Sequence, residues 1–291
     1  MASISEMIRE KSSRDQAWLE ARRAERESLS GMRDAALEEI TSHPDKYLKY
    51  LDLQSDNIRC SVGNVALTMF QMPEATRIGS TDFWHRQGRR VRDDAMQEGA
   101  KIFAQQGEGQ KKRYLMGDYY DISQTTGKPV KEQTPLAESG HRMEAALAAL
   151  MNYSPVPLEE NSEIIGPAYY DDARLTLSIS PEYSDTEIFT ALATEITYAR
   201  IHDRGRNSDF DRASYKLDAE SVGYLLCRRF GVACPPPDTK ELVFLYEGCE
   251  PTDRCELLDR VRKTAMNIGD GVDRAIQPRQ QERGRRGYGS R

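Results

Sequence analysis

The chain has 291 residues and a net charge of −6, with 38% hydrophobic and 30% charged residues. This composition favours a folded protein of one large or two modest domains over a disordered chain, and no apolar run reaches the roughly 18 residues of a membrane span. The start of the chain does not resemble a signal peptide, and its five cysteines show no CxxC spacing. A disulfide framework and a structural zinc site are therefore unexpected, and a cytoplasmic protein without a membrane partner is predicted.

In chain order, the first half begins with a charge-rich helix and then alternates between apolar and polar segments. The pattern predicts a helix over 3–40, a buried helix over 61–72, a short helix capped by Ser80 and ended by Gly88, and two strands over 100–105 and 113–122. The glycines between the two strands are typical of a hairpin. Polar residues over 130–137 then indicate a boundary.

The second half mixes helices with one pair of strands. The pattern predicts a helix over 138–151, a hairpin over 166–180, a helix opened by a Ser184–Glu187 capping box, a helix over 215–230 ended by Gly231, and a helix over 252–276. Leu175, Leu177 and Ile179 alternate with polar residues, as in a half-buried strand. Together these elements predict an α+β fold.

The charge is distributed unevenly along the chain. Residues 77–113 carry nine cations against five carboxylates, and residues 271–291 carry six arginines against two carboxylates. An acidic protein with basic segments can bind a polyanion through those segments, although mixed charge also keeps an ordinary surface soluble. No phosphate-binding loop, GxGxxG, GxSxG or Cys–His pairing is present.

Two pairs of motifs resemble one known family over about residues 45–235. GNVALTMFQMPEATRIGSTDFWHRQGRRVRDDAMQEGAKIFAQ and the following YYDISQTTGKP resemble the N-terminal domain of ArdC-like antirestriction proteins. IFTALATEITYARIH and YKLDAESVGYLLCRRFGV resemble the zincin-like metallopeptidase domain that follows it in that family. The resemblance implies that the first domain binds single-stranded DNA with little sequence preference.

With this resemblance, the expected fold is an N-terminal helical arm, a small α+β domain of the DNA-binding type, and a zincin-like helical domain with a small antiparallel sheet. The corresponding ranges are 1–44, 45–137 and 138–270, followed by a disordered basic tail over 271–291. The tail ends in RGRRGYGSR, which resembles an Arg/Gly segment that binds nucleic acid loosely.

The sequence departs from the family where a zincin helix carries H-E-x-x-H, because the aligned residues run from Thr194 to Tyr198. Both histidine ligands of a zinc ion are replaced, while Glu195 keeps the general-base position and Glu220 the position of the glutamate ligand. No metal or other cofactor is therefore expected, and the two glutamates are vestigial. Two alternatives stay open: His202 as a substitute ligand, and the glutamates as a weak Mg²⁺ pair.

Binding of single strands without sequence preference needs cations for phosphates and aromatic faces for bases. The predicted contacts to single-stranded DNA are Arg86, Arg89, Arg90, Arg92, Lys101, Lys111, Lys112, Arg113, Tyr119 and Tyr120. Trp84 is more typical of a core position. The leading hypothesis is thus an accessory protein of a mobile element or phage that binds single-stranded DNA, with an antirestriction role. The alternatives are an inhibitor that binds a host defence protein and a residual metal-dependent peptidase.

Overall fold

The computed structural model describes residues 4–106, 113–130 and 134–277, and it has an α+β fold. The helices are α1 (Ile4–Ser42), α2 (Pro44–Asp56), α3 (Val62–Gln71), α4 (Thr81–Arg86), α5 (His141–Tyr153), α6 (Asp185–His202), α7 (Lys216–Phe230), α8 (Leu242–Leu245) and α9 (Pro251–Ile276). The strands are β1 (Ile78–Gly79), β2 (Arg89–Val91), β3 (Ala100–Gln106), β4 (Arg113–Asp121), β5 (Thr125–Gly127), β6 (Leu158–Glu160), β7 (Ala168–Asp171) and β8 (Thr176–Ile179). Within the described ranges, no helix is both long and apolar enough to span a membrane.

The chain divides into two compact units. The first takes in the described residues up to 130 together with Thr239–Asp259, and the second takes in 134–238 with the described residues from Arg260 onward. The change of unit lies within the polar stretch where the sequence indicates a boundary. The return of 239–259 to the first unit has no counterpart in the sequence pattern. Helix α9 continues to Ile276, so the predicted tail begins in helix, and residues 278–291 lie outside the described part.

In the first unit, α1 packs through its C-terminal third. Leu29, Leu37 and Ile40 are buried, whereas residues 4–28 are exposed throughout. Helix α2 begins at Pro44, directly after α1, because proline is well tolerated in the first turn of a helix. The sequence pattern predicted no helix between residues 40 and 61.

Helix α3, predicted as buried, is bonded to β3 by two side-chain amides. Asn64 donates from Nδ2 to the Phe103 carbonyl at 3.0 Å and accepts from the Phe103 N–H at 3.1 Å. Gln71, two turns later, donates to the Lys101 carbonyl and accepts from the Lys101 N–H, both at 2.9 Å. These four bonds fix α3 in register with the strand.

The sheet of the first unit has the strand order β1-β4-β3, and a second ribbon pairs β2 with β5. The predicted hairpin is confirmed, with Ala100 opposite Tyr119 and Gln106 opposite Arg113. The residues that join its strands, 107–112, lie outside the described part. Trp84, fully buried on α4, donates from Nε1 to the Tyr120 carbonyl at 2.9 Å and so fastens α4 to β4.

The second unit packs α5 and α7 against α6, with a three-stranded sheet of order β6-β8-β7 beside α6. The sheet is mixed and not purely antiparallel as predicted, because β6 runs parallel to β8. The predicted alternation along 175–180 is also wrong in detail. Leu175 lies before the strand with φ +52°, while Ser178 and Ser180 are buried. Ser178 tolerates burial because its hydroxyl donates to Glu159 at 2.8 Å.

The ends of α6 and α7 follow the sequence signals. Ser184 and Glu187 form the predicted capping box at the start of α6. Gly231 ends α7 in the left-handed region with φ +64°, where residues with a Cβ are strained. Between these ends the two helices approach closely, since a Cβ on Gly223 would lie 2.4 Å from the Thr194 hydroxyl oxygen.

Candidate functional site

Arg89, predicted to contact DNA, is engaged inside the first unit. Its Nε donates to the Thr125 hydroxyl at 2.8 Å, and its terminal nitrogens donate to the carbonyls of Thr125 at 3.0 Å and Lys128 at 2.6 Å. These bonds join β2 to β5 and the residues after it. Arg89 therefore holds the ribbon together, and its guanidinium is not freely available to a phosphate.

Arg92 and Lys101 are exposed but already paired. Arg92 donates to the Ser123 carbonyl at 2.8 Å and to Asp94 at 3.2 Å. Lys101 lies 2.7 Å from Asp118, and this hydrogen bond raises the pKa of the Lys101 ammonium. Exposed ion pairs are worth at most about 1 kcal/mol, so both cations can exchange a carboxylate for a phosphate.

Arg86 lies at the end of α4 and Arg90 in β2, and the side chains of both are exposed. Neither guanidinium makes a hydrogen bond or ion pair with another described residue. Two of the predicted cations, Lys111 and Lys112, lie outside the described residues, as does the side chain of Arg113 at the start of β4. Among the predicted cations that are described, Arg86 and Arg90 are thus the ones whose charge is uncompensated.

The two predicted stacking tyrosines differ in their environment. Tyr120 is 3% exposed, and its hydroxyl donates to the Met96 carbonyl at 2.9 Å. Its ring presents no face to solvent, in contrast to the stacking role expected from the sequence, because it belongs to the cluster of Trp84, Val91 and Ala95. Tyr119 points to the other face of β4 and stays partly exposed. Burial raises the pKa of its hydroxyl, which also interacts with Cys60.

A cleft of about 500 Å³ opens beside Tyr119. Its walls are the turn after α2, β1, and one face of α4, and its apolar lining includes Ile58, Ile78, Phe83 and Val130. Phe83 is half-buried and packs edge-on against Trp84 with ring centroids 5.0 Å apart. The cleft thus combines an aromatic wall with a volume in the range of ligand pockets.

Three arginines line this cleft: Arg59, Arg77 and Arg86. Asp56 is the one carboxylate among its lining residues. Sequence reasoning identified Arg86 and Tyr119 but missed Arg59, which lies far from the basic segment along the chain. Arg77 belongs to that segment, yet nothing in its spacing indicated that it faces the same cleft. Only the packing of β1 against α4 brings these residues together.

In the second unit, Glu195 occupies the middle of α6 and is bonded by its protein neighbours. One carboxylate oxygen accepts from the Tyr170 N–H at 2.8 Å, and the other accepts from the guanidinium of Arg212. Burial raises the pKa of Glu195, while the Arg212 charge and the Tyr170 N–H oppose that rise. Both oxygens of the Glu195 carboxylate are therefore engaged in hydrogen bonds.

Arg212 is the functional-site residue that sequence reasoning missed in this unit. Its guanidinium lies over the ring of Tyr198 at 4.0 Å from the centroid and over Tyr169 at 5.0 Å. Tyr198 thus contributes a cation–π contact to the Arg212 guanidinium beside Glu195. No signal in the spacing indicates the pair, since Arg212 lies in the loop before α7.

The remaining candidate ligands are also engaged. Glu220 accepts from the Asp238 N–H at 2.7 Å. His202 has Nδ1 2.7 Å from the Tyr170 hydroxyl, and its ring stacks on Phe210 at 4.6 Å. Within the described residues, no group of three or more His, Cys, Asp and Glu side chains could hold a metal ion. A zinc ion with an activated water does not fit this donor set.

A cavity of about 560 Å³ lies between α6, α7 and the segment 233–238. Thr190, Thr194, Glu195 and Glu220 line one side, and Pro235 with its two following prolines lines another. Its four carboxylates are all engaged: Glu195 by Arg212, Glu220 by the Asp238 N–H, Glu187 by the Ser184 cap and Asp238 by Lys216. The rest of the lining is largely apolar.

No protein-family model and no curated protein matches the sequence. Solved structures similar to it include two of the antirestriction ArdC protein from R388 plasmid. The metal-free structure is 18% identical, with 74% of this chain and 84% of that chain covered and a TM-score of 0.46. The Mn(II)-bound structure is 18% identical, with 76% and 85% covered and the same TM-score of 0.46. These neighbours carry the name of the family that the quoted motifs resemble.

Proposed function

We propose that the first unit binds single-stranded DNA, weakly and without sequence preference. The observation that carries this proposal is the cleft lined by Arg59, Arg77 and Arg86 beside the aromatic rings of Phe83 and Tyr119. Cations attract the phosphates, and an aromatic face accepts any base because every base has a π-face. Arg90, in β2 of the same unit, is a further exposed cation without an ion pair to another described residue.

Preference for single strands over duplex follows from the shape of this surface. Bases in a duplex are stacked and paired, so their faces are hidden, whereas a single strand can splay a base outward. The net charge of −6 opposes any polyanion, which keeps the affinity low and makes it steeply dependent on salt.

The biological role proposed for this binding is antirestriction in a mobile element. It rests on the motif resemblance and agrees with the name of the two neighbours, an antirestriction protein from a plasmid. In this role the protein covers incoming single-stranded DNA. The second unit is proposed to be a non-hydrolytic scaffold, because Glu195 is held by Arg212 and two zinc-binding histidines are replaced.

The test is a fluorescence anisotropy titration of a labelled 30-nucleotide strand and the matching duplex at several salt concentrations. The double variant Arg86→Ala/Arg90→Ala should weaken binding and lower the salt slope by about 0.7 for each phosphate that the protein no longer neutralises. The matched control is Arg23→Ala/Arg26→Ala, which removes two exposed arginines from α1. Equal binding by the first variant and wild type at low salt would show that the surface is wrongly assigned.

A second candidate function is capture of a host defence protein. It is favoured by the exposed part of α1, where Ile4, Met7, Ile8, Trp18 and Leu19 are all exposed. Exposed apolar side chains in such number are typical of a docking surface. If wild type binds no strand even at low salt, this hypothesis replaces the first, and deletion of residues 1–28 should then abolish the antirestriction effect in cells.

A further inference from the structure

The cleft of the first unit has a volume of about 500 Å³, which is in the range of pockets for a small ligand such as one nucleotide. We propose that it receives a single unstacked nucleotide, with the base against the aromatic wall and the 5′-phosphate at the arginine rim. This inference rests on the proposed function, because it names the part of a single strand that enters the protein.

The aromatic wall is held in place before any ligand arrives. A Cβ on Gly79 would lie 2.1 Å from Phe83 Cδ1, so the ring lies directly against the glycine backbone. Its other contact is the edge-on pairing with the fully buried Trp84. A ring fixed on two sides loses little conformational freedom when a base stacks on it, which favours binding.

The floor of the cleft is also fixed by buried bonds. Asn57, 7% exposed, donates to the carbonyls of Leu53 at 2.7 Å and Thr76 at 2.8 Å, and accepts from the Ile78 N–H at 2.9 Å. These bonds join the end of α2 to β1. Arg59 lies two residues after Asn57 and Arg77 directly precedes β1, so this buried side chain supports the backbone next to both arginines.

The charges at the rim match a phosphate monoester or diester. The Arg86 guanidinium is exposed and makes no hydrogen bond or ion pair with another described residue, so a phosphate need not displace a carboxylate from it. Gln87, the next residue, is exposed and offers both an amide donor and a carbonyl acceptor to the edge of a base. A single adaptable amide gives little discrimination between bases, in agreement with binding that does not depend on sequence.

The experiment uses the full chain and two probes. The first is deoxyadenosine 5′-monophosphate, titrated by NMR with inorganic phosphate as a competitor. The second is a thymine strand with one central 2-aminopurine, whose fluorescence changes when that base leaves its stacked neighbours. Arg86→Glu should weaken nucleotide binding by about tenfold or more, since a charge-assisted bond becomes a repulsion. Arg26→Glu, an equal charge reversal on exposed α1, should leave it unchanged.

Three outcomes separate this inference from the proposed function. The pocket is supported if Arg86→Glu weakens nucleotide binding and if inorganic phosphate alone displaces the nucleotide poorly. Binding of single strands without nucleotide binding and without a 2-aminopurine response overturns the pocket and leaves the proposed function standing. Absence of binding to both probes overturns both. Phe83→Leu, which keeps an apolar side chain but removes the ring face, should weaken nucleotide binding while the far-UV circular dichroism stays that of wild type.

Discussion

Asp121 stands at the end of β4 and joins three segments of the first unit. Oδ1 accepts from the N–H groups of Thr76 at 2.7 Å and Arg77 at 3.1 Å, and Oδ2 accepts from Ser123 at 2.8 Å. The DISQT motif is thus explained by structure: its aspartate holds the turn that precedes β1 and caps the turn that follows β4. These bonds lie next to Arg77 and so support the cleft.

We expect Asp121→Asn to lower the free energy of unfolding by about 2 kcal/mol at pH 7, the loss typical of hydrogen bonds to a charged group. Burial alone would raise the pKa of Asp121, but the hydrogen bonds outweigh it and the net pKa is lowered. A carboxyl with a lowered folded-state pKa contributes stability above its unfolded pKa and loses it as pH falls. The difference from wild type should therefore shrink below about pH 4. Urea unfolding at several pH values measures it, with Asp93→Asn as an exposed control.

Arg212 compensates a carboxylate that is otherwise buried, since the side chain of Glu195 is 9% exposed. Arg212→Met should lower the free energy of unfolding by about 2 kcal/mol, less than the 3–5 kcal/mol of fully buried pairs because Arg212 itself is 36% exposed. Without the guanidinium the raised pKa of Glu195 rises further, so the variant should lose stability as pH rises above the ordinary glutamate range. Thermal melts between pH 4 and 8 test this. A flat profile, or no recovery in Arg212→Met/Glu195→Gln, would contradict it.

At the scale of elements, the close crossing of α6 and α7 depends on Gly223. Gly223→Ala gains helix propensity of about 1 kcal/mol, but overpacking against the Thr194 hydroxyl costs about 1–3 kcal/mol. We expect net destabilisation, with partial recovery in Thr194→Ala/Gly223→Ala, where the clashing oxygen is removed. Gly31→Ala is the control, because a Cβ there meets nothing within 4 Å, and it should stabilise α1. Chemical denaturation of wild type, Thr194→Ala, Gly223→Ala and the double variant measures the coupling between the two positions.

The elements that the sequence predicted are those with strong local signals. The capping box at Ser184, the left-handed Gly231 and the paired strands β3 and β4 are examples. The missed strands β1, β2, β5 and β6 have two or three residues each, too few for any periodicity to appear. The residues of the candidate site were likewise predicted only where the sequence carries a local signal. Arg86 and Tyr119 carry such a signal, whereas Arg59 and Arg212 gain their roles only from contacts between distant segments.

At the scale of the whole molecule, the two units contain different chemistry. The first has uncompensated cations at Arg86 and Arg90, and the second has its central carboxylates neutralised by its own residues. This difference supports the proposal that the first unit binds the strand and that the second is a non-hydrolytic scaffold. The negative charge of Glu195 is balanced by Arg212 of the same unit. The carboxylate is therefore already paired, whereas a divalent cation is usually held by carboxylates that are available to it.

The purified protein should accordingly contain substoichiometric zinc by elemental analysis, and EDTA should leave its melting temperature unchanged. Thr194 and Tyr198 supply neutral oxygens where the motif resemblance leads one to expect imidazoles, and Arg212 adds a positive charge beside Glu195. Stoichiometric zinc that disappears in Glu195→Ala or Glu220→Ala would show this expectation to be wrong.

The four amide bonds between α3 and β3 also affect how copies of the chain behave toward one another. Strand β3 is the last in its sheet, and an uncovered last strand offers its backbone groups to a strand from another molecule. Asn64 and Gln71 occupy the groups of Phe103 and Lys101 that such a strand would need. Through these two amides, α3 protects part of the edge strand β3. This protection leaves fewer backbone groups of β3 free to pair with a strand from another molecule.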